Sequence, residues 1–271
     1  MTRDSPAIPD VLRRIVAARR QRYGLASAPA GPHRSSEPLG AASQPFLKAL
    51  ERARPRAVVA EVKMGSPRLG SLVGRVDPES QARAYARFGV AALSVVVEPE
   101  FFFGSFELLS RVKSAAGGAL PVIAKDFVVC ERQLDEAAAA GADAILLIAA
   151  LYSESELRGW AAAARARGLA PLIETHDEAD VARLAGADWE LVGVNNRDLR
   201  TFDVDVERSI SLAPSLPHGA LKIAESGIAR REQVDRLAAA GFDAFLVGES
   251  LLLADDPETK LAELFGAEPS R

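Results

Sequence analysis

Apolar, β-branched runs and amphipathic stretches alternate along most of the chain. The apolar runs are Ala57–Lys63, Ala91–Val97, Pro121–Phe127, Ala144–Ala150, Ala170–His176, Glu190–Asn196, Leu221–Ser226 and Ala244–Ser250. Near-continuous apolar strands are what a parallel sheet covered by helices on its faces requires. Between them Pro78–Phe88, Arg132–Ala140, Ser153–Arg167, Glu178–Ala185 and Arg230–Ala240 carry apolar positions at helical spacing. The helix-to-strand joints resemble one another: Phe88-Gly89-Val90-Ala91, Ala140-Gly141-Ala142-Asp143, Ala185-Gly186-Ala187-Asp188 and Ala240-Gly241-Phe242-Asp243. Each glycine stands where a helix C-cap needs left-handed backbone. Eight strand–helix units in one chain predict an α/β fold, a closed (β/α)8 TIM barrel. An open doubly wound sheet is disfavoured because no glycine-rich dinucleotide loop follows the first run.

Ahead of the alternating region, Pro9–Arg22 reads as a short helix. Asp10 is its candidate cap, and Val11, Leu12, Ile15 and Val16 share one face. Gly24–Gln44, rich in Ala, Ser, Pro and Gly, reads as an irregular linker, and Phe46–Ala53 as a second helix. The chain therefore divides into an N-terminal helical extension, 1–45, and a barrel catalytic domain, 46–271. A barrel of this type takes about 250 residues, which the 271-residue chain accommodates as one domain.

Composition narrows the function classes. A formal charge of −4 argues against nonspecific nucleic-acid binding. No run reaches the roughly 18 apolar residues of a membrane span, and Met1–Pro6 lacks the apolar core of a signal peptide. Cys130 is the only cysteine, so no intrachain disulfide forms and a reducing, cytoplasmic location is expected. No set of His, Cys and acidic residues has metal-ligand spacing, so no metal is expected. The protein is expected to be a monomer or weak homodimer.

The candidate chemistry lies where the strands end, because barrel sites form in the loops after the strands. Glu61 and Lys63 sit two apart at the end of the first run and project to one face. The third run ends in Lys125, with Phe127 on its face and Asp126 on the opposite one. The fifth ends in Glu174 and His176, the sixth in Asn195, Asn196 and Arg197, the seventh in Glu225, Ser226 and Gly227, and the eighth in Gly248, Glu249 and Ser250. Two lysines, several carboxylates and an amide at one mouth must be mutually paired or hold a charged ligand. An ion-pair plug is the bland alternative. Ser226-Gly227 and Gly248-Glu249 follow strands seven and eight, where barrels often bind phosphate through backbone N–H groups. Phe101-Phe102-Phe103-Gly104-Ser105 is an aromatic loop that either flanks an aromatic ligand or packs on the protein itself. His176 reads as a hydrogen-bonding residue at the rim, and Cys130 as incidental.

Six segments, in order, resemble the indole-3-glycerol phosphate synthase family. They are Glu61-Val62-Lys63-x-x-Ser66-Pro67, Phe102-x-Gly104-Ser105, Lys125-Asp126-Phe127, Gly193-Val194-Asn195-Asn196-Arg197-Asp198-Leu199, Glu225-Ser226-Gly227-Ile228 and Val247-Gly248-Glu249-Ser250-Leu251. The resemblance runs from about Pro45 to Ala267. It implies ring closure, decarboxylation and dehydration of 1-(2-carboxyphenylamino)-1-deoxyribulose 5-phosphate to indole-3-glycerol phosphate, a step of tryptophan biosynthesis, without cofactor or metal. By the same resemblance Lys125 is the acid that protonates the ribulose carbonyl. Lys63 holds the anthranilate carboxylate and serves the dehydration, and Glu174 is the base. Glu61 and Asn195 orient them. Phe102 and Phe127 pack on the ring, Arg197, Glu225 and Ser226 contact the substrate, and Ser66, Gly227, Gly248 and Glu249 surround the phosphate. Met64-Gly65, Arg68, Phe103 and Ala124 depart from the family pattern. Two alternatives accompany this reading: a paralogue making a substituted indole in a specialised pathway, and a catalytically silent phosphate-binding barrel.

Overall fold

The computed structural model describes residues 10–25, 44–198, 200–201 and 203–266. The predicted linker lies almost entirely outside these, as does Leu199 of the sixth-strand segment. Eight strands form the barrel: β1 (Ala57–Val62), β2 (Ala92–Val96), β3 (Val122–Lys125), β4 (Ala144–Ile148), β5 (Ala170–Thr175), β6 (Leu191–Asn195), β7 (Leu221–Glu225) and β8 (Ala244–Val247). All pair in parallel, and β8 closes on β1. The closed barrel is the one predicted, and each strand falls inside its predicted run.

Two helices precede the barrel, α1 (Asp10–Arg22) and α2 (Pro45–Ala53). Around it lie α3 (Pro78–Phe88), α4 (Phe106–Ala115), α5 (Glu131–Ala139), α6 (Glu154–Arg165), α7 (Glu178–Ala182), α8 (Glu207–Leu212), α9 (Arg231–Ala239), α10 (Glu249–Leu252) and α11 (Pro257–Phe265). The four helix-ending glycines have φ of 87°, 90°, 71° and 95°, the left-handed geometry their repetition predicts. Helices α4 and α11 went unpredicted, although side-chain caps mark both. Ser105 Oγ accepts from Leu108 N–H at 3.0 Å, and Asp256 accepts from Glu258 and Thr259.

Pleat parity decides what each strand residue does. In β1, Val58, Ala60 and Val62 face the helices and join the outer apolar layer. Ala57 and Val59 point inward. The same alternation puts Ile123, Leu172, Leu191, Ile223 and Leu246 inside, with Ala124, Ile173, Val192, Ala224 and Phe245 outside. Phe46 and Leu50 of α2 pack into the inner cluster against the N-terminal strand ends. Both are fully buried, and each contributes about 1.5–3 kcal/mol by the usual worth of a buried large apolar side chain. Leu12 of α1 joins the same inner cluster.

Extending that parity upward reaches the mouth. Residues 59, 61 and 63 of β1 are one inward series, as are 123, 125 and 127, then 172 and 174, 193 and 195, and 223 and 225. Register aligns the top layer: Val96 lies beside Lys125, Ile148 beside Glu174, and Asn195 beside Glu225. The inward series thus turns from apolar or small residues to charged ones, or to the Asn195 amide, at the last or next-to-last residue of five strands.

Candidate active site

Lys125 stands at the centre of the mouth. Its Nζ donates to Glu225 Oε2 at 2.7 Å and lies 3.7 Å from Glu174 Oε2 and 3.8 Å from Glu61 Oε2. Lys63 Nζ donates to Glu61 Oε1 at 3.0 Å, the same-face pairing their spacing predicts. Asn195 Nδ2 donates to Glu174 Oε2 at 3.1 Å, and its Oδ1 accepts the backbone N–H of Arg197 at 3.0 Å. Three carboxylates therefore share two ammonium groups.

This crowding sets the proton affinities. Burial weakens the Lys125 ammonium, but Glu225, Glu174 and Glu61 outweigh it and hold Lys125 charged well above its ordinary range. Burial likewise acts against the Glu61 carboxylate, yet Lys63 and Lys125 bring its pKa below the usual value. Glu225 goes the other way. Full burial, opposed by Lys125 and reinforced by Glu174 and Glu61, raises it from 4.5 to about 7. Its Oε1 has no hydrogen-bond partner among the described residues. A Cβ on Gly193 would come within 2.2 Å of that oxygen, so only glycine leaves room for Glu225 there.

A raised carboxylate pKa has a definite linkage sign. Native Glu225 holds its proton more tightly than the unfolded chain, so its contribution is complete below about pH 4.5 and is lost as pH rises through about 7. Urea denaturation across this window is expected to show stability falling with pH, and Glu225→Gln is expected to flatten that segment. An unchanged slope in the variant would assign the titration elsewhere.

The mouth opens into a cavity of about 940 Å³, its open entrance included. Glu61, Lys63, Lys125, Glu174, Asn195 and Arg197 line it together with the apolar Val96, Phe102, Phe127, Leu146 and Ile148. Phe102 and Phe127 have ring centroids 6.0 Å apart. Ser66, Pro67, Arg68, Ser226 and Glu249 line the rim, and Val11, Leu12 and Ile15 of α1 reach in from above. The structure thus brings eleven of the residues singled out in the sequence to one cavity.

The remaining three stand differently. Glu225 is fully buried and hydrogen-bonds Lys125 from outside the cavity lining. Gly227 and Gly248 do not line it either. A Cβ on Gly227 would fall 2.1 Å from Val204 Cγ1, and one on Gly248 2.4 Å from Glu61 Oε1. Close packing excludes a Cβ at both positions. Ser226 and Gly227 have φ of 66° and 76°, consecutive left-handed residues that turn the chain under the rim. The Glu249 carboxylate bridges two guanidinium groups, pairing with Arg68 through one oxygen and with Arg197 Nη2 at 3.1 Å through the other. Burial acts against its ionised form, but the two arginines and Lys63 bring its pKa below the usual value.

His176 is not a rim residue. It is 7% exposed and lies behind Glu174. Two further groups escaped the sequence reading. Glu98, fully buried after β2, accepts the N–H groups of Glu100 at 3.0 Å, Phe101 at 2.7 Å and Phe102 at 3.0 Å. It fixes the aromatic loop that carries Phe102. Arg19 of α1 forms a buried ion pair with Asp126, whose Oδ2 also accepts from Gln133 Nε2 at 2.8 Å. A carboxylate directly after the second strand was the available signal for Glu98. Nothing in the sequence links Arg19 to Asp126.

A closed parallel barrel with paired lysines and carboxylates at its C-terminal mouth defines a class, the (β/α)8 enzymes of acid–base chemistry. Among solved structures, 3-hexulose-6-phosphate synthase superposes with a TM-score of 0.60 at 15% identity, covering 77% of this chain and 97% of that one. A chain of the tryptophan synthase complex of Pyrococcus furiosus superposes with 0.57 at 14%, covering 78% and 98%. These likenesses concern the fold alone. The sequence profile of indole-3-glycerol phosphate synthase matches residues 8–264. Proteins of that name from Albidiferax ferrireducens and Variovorax paradoxus are 39% and 40% identical to this chain. They cover 94% and 95% of it, and the alignments span 98% and 100% of their own lengths. The chain belongs to the indole-3-glycerol phosphate synthase family. Among the described residues, no helix is long and apolar enough to cross a membrane.

Proposed function

We propose that this protein is a carboxy-lyase that closes the indole ring of 1-(2-carboxyphenylamino)-1-deoxyribulose 5-phosphate, giving indole-3-glycerol phosphate in tryptophan biosynthesis. The observation that carries the reading is a single cavity lined both by carboxylate-flanked lysines and by aromatic and aliphatic side chains. An aryl ring with an acidic substituent, joined to a polar sugar phosphate, matches both sets of residues. The anthranilate ring packs on Phe102, Phe127 and Ile148, and its carboxylate meets Lys63 and Arg197.

Lys125 is the general acid of the first step. As the ring carbon bearing the carboxylate attacks the ribulose carbonyl, Nζ gives its proton to the carbonyl oxygen. The three carboxylates around it keep it protonated until that moment. Carbon dioxide then leaves with its bonding pair returning to the ring, which restores aromaticity. Dehydration follows: Lys63 protonates the departing hydroxyl, and Glu174 takes the proton lost from the newly closed ring. Asn195 holds Glu174, and Glu61 holds Lys63. Glu225 restrains Lys125 from behind. The phosphate sits at the rim against Ser66, Ser226 and the backbone of Gly227, Gly248 and Glu249. Arg68 reaches the same rim. Anchoring this remote group orients a flexible open-chain sugar for attack. Residues 46–271 form the catalytic barrel, and α1 of the N-terminal extension roofs the site.

The test is a fluorescence assay for indole-3-glycerol phosphate with purified protein and the carboxyphenylamino-deoxyribulose phosphate. Product formation with release of one carbon dioxide per turnover is expected. Tight binding of the substrate without any indole product would instead identify the silent phosphate-binding barrel.

A further inference from the structure

Glu174 has two oxygens, and the reaction just described accounts for the partners of only one. Asn195 and Lys125 both address Oε2. Oε1 faces His176, whose Nε2 lies 3.4 Å away. The other ring nitrogen, Nδ1, lies 3.4 Å from Asp180 Oδ2. A neutral imidazole carries a proton on one nitrogen and a lone pair on the other. In this setting the lone pair would face a carboxylate whichever tautomer formed. Only the imidazolium sets a positive charge beside both acids, at ion-pair distance rather than in completed hydrogen bonds.

We propose that His176 is a positioning residue for Glu174, gripping Oε1 from behind so that the carboxylate presents a fixed edge to the substrate. The inference rests on Glu174 being the base.

His176 is itself held from several elements. Asp180 Oδ2 accepts the backbone N–H of His176 at 2.9 Å, and Arg183 Nη1 donates to Asp180 Oδ1 at 2.6 Å. Arg208 Nη1, from α8, donates to the His176 carbonyl at 3.2 Å. From β7, Glu225 adds negative potential without contact. The charged groups facing the ring are thus Glu174, Asp180 and Glu225, with Arg183 and Arg208 acting on Asp180 and on the backbone. Burial disfavours the imidazolium, but Asp180, Glu174 and Glu225 outweigh it, and the histidine pKa lies above its ordinary value. The charged ring therefore persists to a higher pH than in an ordinary histidine and is lost as pH rises through that raised value.

His176→Ala and His176→Gln separate positioning from packing. Misplacing a reacting group by about 1 Å costs on the order of 10²-fold, so His176→Ala is expected to lose about ten- to a hundredfold in kcat with KM little changed. His176→Gln places an amide N–H donor where Nε2 stands and is expected to recover most of that loss. The wild-type kcat profile is expected to bend downward on the alkaline side as the imidazolium loses its proton, and His176→Gln to lack this bend. If His176→Ala does not fold, the Gln variant and its pH profile carry the test alone. Wild-type kcat in the variants, a loss confined to KM, or an unchanged alkaline bend in His176→Gln overturns the proposal. A wild-type protein that makes no indole product overturns the parent reading and takes this inference with it.

Discussion

Lys125→Ala is expected to lower kcat for indole formation by about 10²–10⁴-fold, the usual worth of a positioned acid. The variant removes more than a proton donor. Glu225, Glu174 and Glu61 would be left around a void, with Lys63 the only ammonium close to any of them. Like charges confined together raise one another's proton affinity, so the cluster is expected to take up protons near neutral pH. The kinetic loss is therefore expected to come with a shifted pH–rate profile. Lys125→Arg keeps the charge but spreads it over a planar fork, so it is expected to fold well and still turn over slowly. Single-turnover measurements of carbon dioxide release locate the defect. Release that stays fast while product accumulates slowly would move Lys125 from the carbonyl step to dehydration.

The second large effect concerns the roof. Arg19 and Asp126 are both essentially removed from solvent, and Asp126→Ala leaves a buried guanidinium without its paired carboxylate, with only the weaker influence of Glu98. Breaking such a pair costs about 3–5 kcal/mol when the remaining charge stays inside. A second outlet exists, because α1 can lift and carry Arg19 into water, and the cheaper route wins. The loss of stability is then the docking energy of α1, and protease cleavage within residues 10–25 is expected to accelerate. Val11, Leu12 and Ile15 leave the cavity in that case, so KM is expected to rise. Urea denaturation and limited proteolysis together distinguish the routes. A variant as stable and as protease-resistant as the parent would show that the ion pair contributes nothing. Replacing both residues by apolar ones of similar volume is expected to restore part of the loss, since desolvation opposes the pair to begin with.

The barrel was legible because apolar runs recur eight times, and glycine caps mark four of the joints between helix and strand. The mouth was legible for the same reason that the barrel was. Glu61, Lys125, Glu174, Asn195 and Glu225 continue inward-facing series whose lower members are apolar, so strand parity names them. What stayed hidden depends on chain segments far apart in sequence. Arg19 meets Asp126 across 107 positions and Arg68 meets Glu249 across 181, and no local pattern encodes either. His176 was misplaced because parity predicts direction but not depth. Asp180, four residues on, draws it under the loop. Gly227 and Gly248 carry a requirement no motif displays, because neighbouring side chains fill the space a Cβ would take.

The pleat has a consequence for altering this protein. Inserting or deleting one residue within β3 or β5 exchanges the two faces beyond that point. Lys125 or Glu174 would then turn toward the surrounding helices, and an alanine or isoleucine would occupy the catalytic layer. A two-residue change restores the facing and alters only height. Lineages that keep the chemistry are therefore free to vary loop lengths in any step, but strand lengths only in even ones.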